Sequence, residues 1–350
     1  MILTLHLLFF SRLQAQLNKN IIGEISKYKI NNDTIIFSNG LINEKFYNVN
    51  DVLSVIINGK FSVKFLNTYP HLFNVSFKSE RDSVLYRAGN YFLDNSTNFI
   101  KINNLDYNSN IEGKTSTEYE NNFIPYFLSK NIEYSEENFM SLWFEKKEYF
   151  DQKLLSYVRD NPDSYVALWF LIKRVDSEGY AKLYEDILFL FSKKLKQEKL
   201  WRILYNDIKN IRIRENKKFP NLTLKDKNLN TVSLKLPEAK YTLVDYWFNR
   251  CIPCLKSFPK LKKIYALYKS KGFKIVGISV DKTKEVINWK KRIKDNKLDW
   301  IHYLDENGRE AQIDKILNFP TTFLLDESGK IIKKNIKLKD LENFLEQKLN

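Results

Sequence analysis

Residues 241–259 read YTLVDYWFNRCIPCLKSFP and hold both cysteines of the 350-residue chain in one CxxC pair, Cys251 and Cys254. The apolar run 241–248 has the length and composition of a buried strand. After the polar step Asn249-Arg250, the apolar residues Leu255, Phe258, Leu261, Ile264 and Leu267 recur at helical spacing. The pair therefore opens a helix. Two cysteines three apart in that place have α-carbons roughly 5 to 6 Å apart, within disulfide range. Cys251 meets unpaired N–H groups and the positive end of the helix dipole, and Arg250 adds a positive charge beside it; both favour its thiolate. Cys251 is thus expected to be the exposed, attacking thiol. Cys254, one turn in, is expected to be shielded and to resolve a mixed disulfide. Pro253, between them, suits a first helical turn because it has no N–H to leave unpaired.

Other chemistries for the pair fit less well. A structural zinc site needs four ligands, and the chain offers no second cysteine pair and only His6, His71 and His302. A purely structural disulfide across so small a loop would constrain the unfolded chain little. No metal and no cofactor beyond the redox-active pair is expected.

The segment from about 219 to 349 resembles the thioredoxin superfamily, and within it the bacterial envelope thiol-disulfide oxidoreductases of the TlpA and ResA type. Four features carry the resemblance in the same order: VDYWFNRCIPC, a proline five residues after the second cysteine (Pro259), FKIVGISVD at 273–281, and FPTTFLLDESGK at 319–330. The resemblance implies an α/β thioredoxin-like domain, a central mixed sheet flanked by helices. It places a cis-proline at Pro320, facing the cysteines. An X-Pro bond adopts cis at modest cost, and such a bend leaves the backbone of Phe319 free to take an extended substrate as an added strand. It also puts Asp245 where the family has a buried acid that handles the proton of the second cysteine. Inside an apolar strand that carboxyl would be desolvated and its pKa raised. Where thioredoxin proper has a lysine partner for the acid, this chain has Gly277, and where the family often has a tryptophan before the first cysteine it has Arg250.

Outside this segment the sequence is less specific. Length and 43% hydrophobic content allow about two or three domains. Of the formal net charge of +15, residues 221–350 carry 27 Lys and Arg against 16 Asp and Glu, without any basic-aromatic motif. That pattern reads as a solvated lysine-rich surface rather than a nucleic-acid interface. The apolar stretch 2–10 followed by Ala15-Gln16 reads as a signal peptide over 1–15, and no later segment approaches the roughly 18 apolar residues of a membrane span.

Residues 16–115 carry short β-like runs, DTIIFSN, DVLSVIINGKFSVKF, HLFNVSF, SVLYRAGNYFL and NFIKI, with Asn58-Gly59 as a hairpin signal. They predict an antiparallel β-sandwich-like domain. Residues 116–215 change to helical spacing and read as a helical connector, with Ser135 as a cap, a stop at Asn161-Pro162, and Asp163 or Ser164 capping the next helix. Their aromatic stripes read as core. The thioredoxin-like domain occupies 216–350.

The expected site comprises Cys251, Cys254, Asp245 and Pro320 in catalytic roles, with Trp247, Arg250, Ile252, Pro253, Phe319 and Thr321 around them meeting substrate. The expected function is a thiol-disulfide oxidoreductase of the periplasm or cell envelope, by resemblance more a reductase of protein disulfides. Its partners would be disulfide-containing proteins and a membrane or thioredoxin-like electron donor. Two alternatives stand beside it. A peroxiredoxin-like peroxidase needs a threonine and proline set ahead of its cysteine, where this chain has Asp-Tyr-Trp-Phe-Asn-Arg. An envelope binding protein would hold a ligand in the sandwich and use the redox domain for regulation.

Overall fold

The computed structural model of the protein describes residues 18–25, 33–40, 42–49, 51–66, 68–78, 85–102, 109–128, 139, 142–143 and 145–349. The leader expected at 1–15 and the cap expected at Ser135 lie outside them. The chain divides into two compact units, Met1–Lys173 with Glu185–Tyr205, and Arg174–Tyr184 with Asn206–Asn350.

In the first unit, the described strands form two four-stranded sheets. One has the order β4-β1-β7-β8, made of Lys60–Leu66, Asn18–Ile25, Phe99–Ile102 and Ser109–Ile111. The other has the order β3-β2-β5-β6, made of Val52–Val55, Thr34–Ser38, His71–Lys78 and Leu85–Leu93. Alternation along β2 turns Ile35 and Phe37 inward, and Phe37 meets Phe61 of the other sheet with ring centroids 6.1 Å apart. Gly23 is paired with Phe61, whose ring lies where a Cβ would be, 2.0 Å from it, so only glycine fits there. The sandwich departs from an all-antiparallel one because β1 and β7 run parallel. Asn58 and Gly59 do form a tight turn, with φ of 52° and 74°, and Ile57 and Lys60 exchange both backbone hydrogen bonds. The strands leaving that turn then separate, β3 to pair with β2 and β4 with β1.

The helices of this unit bury the aromatic stripes. Phe150, Leu154, Tyr157 and Val158 are buried in the helix Lys147–Asp160, which stops at Asn161 ahead of Pro162. Ser164 Oγ accepts the Ala167 N–H at 2.9 Å and caps the helix Tyr165–Glu178. Phe127 lies 4.4 Å from Phe150, and Phe123 4.6 Å from Phe170.

In the second unit, a seven-stranded mixed sheet has the order β10-β9-β13-β12-β11-β14-β15. A leading hairpin, β9 (Thr223–Lys225) and β10 (Thr231–Ser233), precedes β11 (Tyr241–Trp247). Then come the helix Ile252–Tyr268, β12 (Phe273–Ser279), the helix Val286–Asp295, β13 (Ile301–Leu304), a short helix Arg309–Ile313, β14 (Thr321–Asp326), β15 (Ile331–Lys334) and the helix Leu338–Leu349. Strands β11, β12 and β13 run parallel, while β14 and β15 are antiparallel to their neighbours. The near-continuous apolar run of β11 follows from burial on both faces. Leu243 and Trp247 face the helices 252–268 and 338–349, and Val244 and Tyr246 face the opposite core.

Candidate functional site

The strand β11 ends at Trp247, and Cys251 caps the helix that follows. Its backbone is extended (φ −71°, ψ 95°), and its Sγ accepts the Cys254 N–H at 3.2 Å, as a capping side chain does. Cys251 and Cys254 form a disulfide with α-carbons 5.2 Å apart. Pro253 lies in the first turn of the helix, and Pro259 sits inside it without breaking it.

The expected contrast between an exposed and a shielded cysteine is not seen in this oxidised pair. Cys251 is 2% exposed and Cys254 0%, because the bond draws the outer sulfur toward the inner one. The residues that reach solvent beside them are Ile252, at 64%, with Pro253 and Arg250.

Arg250 also differs from expectation. Its guanidinium bonds Glu285 at 2.9 Å, at the entrance of the helix Val286–Asp295, rather than leaving its charge to the sulfur alone. Asn288 and then Arg250 and Lys284 hold the Glu285 carboxyl below its usual range. The rim of the site is therefore an ion pair in which the arginine is the exposed member.

The Phe319-Pro320 peptide bond, just ahead of β14, is cis, and Phe319 packs against the cluster that contains both cysteines. Phe319 is half-buried, and its ring meets Phe248 edge-on at 5.5 Å. Of the six residues expected to meet substrate, Trp247 and Thr321 are enclosed. Trp247 is 0% exposed because it lies on the sheet face beneath the helix, and Thr321 is 4% exposed, its hydroxyl donating to the Asn318 carbonyl at 2.6 Å. Arg250, Ile252 and Pro253 are exposed, and Phe319 is half-buried.

Asp245 is 2% exposed on the same face as Trp247, and burial pushes its carboxyl up to about 7. Strand register pairs it with Gly277, so no lysine stands beside it.

Sequence reasoning missed Asp281 and Asn249. The Asn249 backbone N–H donates to both Asp281 oxygens, at 3.0 and 3.2 Å, its side-chain amide donates to the same carboxylate, and Ser279 Oγ donates at 2.5 Å. This buried knot fixes the turn between β11 and Cys251. Asp281 ends the run FKIVGISVD, but only the parallel pairing of β11 with β12 brings it under Asn249. Among the described residues, no group of His, Cys, Asp and Glu is placed to hold a metal, and no helix is long and apolar enough to cross a membrane.

Residues 214–346 match the Redoxin family. The chain is 29% identical over 133 residues to the thiol-disulfide oxidoreductase ResA of Bacillus thuringiensis subsp. konkukian (strain 97-27), a match covering 38% of this chain and 75% of that protein. This chain belongs to the thioredoxin superfamily, among its ResA- and TlpA-like members. Another member it resembles is the sporulation thiol-disulfide oxidoreductase A of Bacillus subtilis (strain 168), 29% identical over 31% of this chain and 68% of that one. Among solved structures, the thioredoxin domain of a thiol-disulfide oxidoreductase from Bacteroides vulgatus is 36% identical, covering 39% of this chain and 99% of that one with a TM-score of 0.36. As a thioredoxin-superfamily member of this kind, the protein is a thiol-disulfide oxidoreductase, and the matched segment is the one that contains the CxxC pair.

Proposed function

We propose that the protein reduces disulfides of other proteins in the cell envelope, cycling between the Cys251–Cys254 disulfide and its dithiol. The observation that carries this reading is the disulfide placed at the first turn of a helix, with the Cys254 N–H directed at Cys251 Sγ. In the dithiol the same N–H and the helix dipole favour thiolate at Cys251.

The Cys251 thiolate attacks one sulfur of the substrate disulfide, forming a mixed disulfide and releasing the other substrate sulfur as a thiolate that takes up a proton. Asp245, buried beneath the helix, accepts the proton of Cys254. The Cys254 thiolate then attacks Cys251 Sγ. The Cys251–Cys254 bond forms, the second substrate thiol leaves, and two electrons have passed to the substrate. A membrane or thioredoxin-like donor restores the dithiol. Phe319-Pro320 and the exposed Ile252 and Pro253 offer the substrate a backbone edge and an apolar contact. The apolar stretch 2–10 and the resemblance to ResA support the envelope placement, and the resemblance supports the reductive direction.

Insulin reduction tests this reading. The wild-type chain is expected to precipitate the insulin B chain in the presence of dithiothreitol, and Cys251→Ser to lose that activity. Equal rates with and without the wild-type protein would overturn it.

A further inference from the structure

Gly277 stands between Asp245 and His302 in the sheet, paired with Asp245 on one side and His302 on the other. Residues paired across neighbouring strands point to the same face. That face is the one beneath the CxxC helix, where Leu243, Trp247, Ile275 and Trp300 pack with Cys254. A Cβ at 277 would come within 2.6 Å of His302 Nδ1, 2.9 Å of its Cε1 and 3.3 Å of Trp247 Nε1. The imidazole therefore leans over the middle strand into the room the glycine leaves, toward the strand of Asp245. Neighbouring strands lie about 4.8 Å apart. No hydrogen bond joins the ring to the carboxyl in the structure, so contact between them runs through one bridging water.

The ring stacks on Trp300 and meets Trp247 edge-on, contacts that an apolar ring could make as well. Both His302 nitrogens and the Trp247 indole N–H are sealed from solvent and make no hydrogen bond of ordinary geometry. An apolar side chain would fill this layer, beside Trp247 and Trp300, without the desolvation that an unpaired imidazole suffers. Three unpaired polar atoms gathered over one glycine, next to a buried acid, make a polar site rather than a packing accident.

We propose that His302 and Asp245 form a buried proton-handling pair beneath Cys254, in which the imidazole N–H, through a bridging water, stabilises the Asp245 carboxylate that accepts the Cys254 proton. This rests on the oxidoreductase reading above. The other titratable side chains in this cluster are Cys251, Cys254, Tyr265 and Tyr268, with Tyr241 packed against it. No charged side chain among the described residues shifts either member. Burial takes Asp245 to about 7, and takes His302 to about 4 against a weaker pull from the Leu298 backbone. Near neutral pH the carboxyl is about half protonated, while the imidazole stays neutral and keeps an N–H to donate. His302 is a positioning residue, since it acts on the thiol through Asp245.

The test is the pH profile of disulfide reduction by the full chain between pH 5.5 and 8.5, with thermal stability recorded for each variant. His302→Leu desolvates the carboxyl further. It should move the acid limb up by about half a unit, a roughly threefold loss of rate at pH 6.5. His302→Gln, which can donate to the carboxylate, should recover most of that loss. In an Asp245→Asn background, His302→Leu should have no further effect on the profile. An acid limb unmoved by His302→Leu, or moved as far without Asp245, overturns the proposal. Should the leucine variant fail to fold, imidazole NMR of the wild-type protein decides: His302 resonances should inflect with Asp245 near pH 7, and a flat response overturns it. Loss of all activity by the wild type, or its survival in Cys251→Ser, would instead strike at the oxidoreductase reading.

Discussion

Arg250 and Glu285 set opposite charges on the rim of the disulfide, and their pairing limits what either does to the sulfur alone. Arg250→Ala leaves the acid facing the site, so the Cys251 thiol pKa should rise by a few tenths of a unit. Glu285→Gln frees the arginine, so it should fall by a similar amount, as is usual for exposed charges. Thiolate absorbance against pH measures both, and shifts of the same sign in the two variants would show that the pair does not face the sulfur. The roles within the CxxC pair have their own test. Cys254→Ser should trap substrate proteins as mixed disulfides through Cys251, while Cys251→Ser should trap few. Mass spectrometry of captured complexes reads the outcome, and equal trapping would reverse the assignment. At this scale the cysteines and Pro320 stand out in the sequence because cysteine and proline are scarce in the chain, and Asp245 because it is an acid inside an apolar run. Glu285 and His302 do not, since nothing local marks them. One is reached through a long, exposed arginine, and the other only through the register of β12 with β13.

The elements from β9 to the last helix could be read in order from turn residues and changes of period. The segment Arg174–Tyr184 could not, because its apolar spacing continues that of the helix Tyr165–Glu178 and reads as connector. In the structure it belongs with the redox domain, where it braces the loop that leads to Phe319-Pro320. Lys315 Nζ bonds Asp176 at 2.8 Å, Asn318 Nδ2 donates to the Ser177 carbonyl at 2.6 Å, and Lys334 Nζ donates to the Tyr180 carbonyl at 2.7 Å. Gly179 is the tightest point of this brace. Its φ is +74°, and a Cβ there would lie 2.1 Å from the Lys315 carbonyl oxygen. Backbone cannot give way as a flexible side chain can. Gly179→Ala should therefore destabilise the redox domain by about 2 kcal/mol or more. Urea unfolding followed by hydrogen exchange of the β11 and β14 amides checks this, and an unchanged midpoint would mean that the loop yields freely.

For the molecule as a whole, the buried pair beneath Cys254 has a consequence for stability against pH. Asp245 titrates near 7 in the fold, against its ordinary value of 3.8. Between those values the folded state holds a proton that the unfolded chain has released, so the acid's contribution falls as pH rises. His302 titrates near 4 in the fold, against 6.5. Between those values the unfolded chain binds a proton that the fold excludes, so its contribution rises with pH. The two windows overlap from about pH 4 to 6.5, where the slopes oppose and nearly cancel, each amounting to about 3 kcal/mol across the overlap. The wild-type redox domain should accordingly gain or lose little from this pair until the pH passes 6.5, where only the acid still titrates and stability declines toward pH 7. Asp245→Asn removes one slope, and the variant should gain about 3 kcal/mol between pH 4 and 6.5. His302→Gln removes the other and should lose a similar amount over the same range. Measured as denaturant midpoints of the β11 and β12 amides, opposite slopes in the two variants establish that the fold buries the acid protonated and the imidazole neutral. Parallel curves for wild type and Asp245→Asn would place the acid's folded pKa at its ordinary value, and with it would fall the reason for assigning it the proton of Cys254.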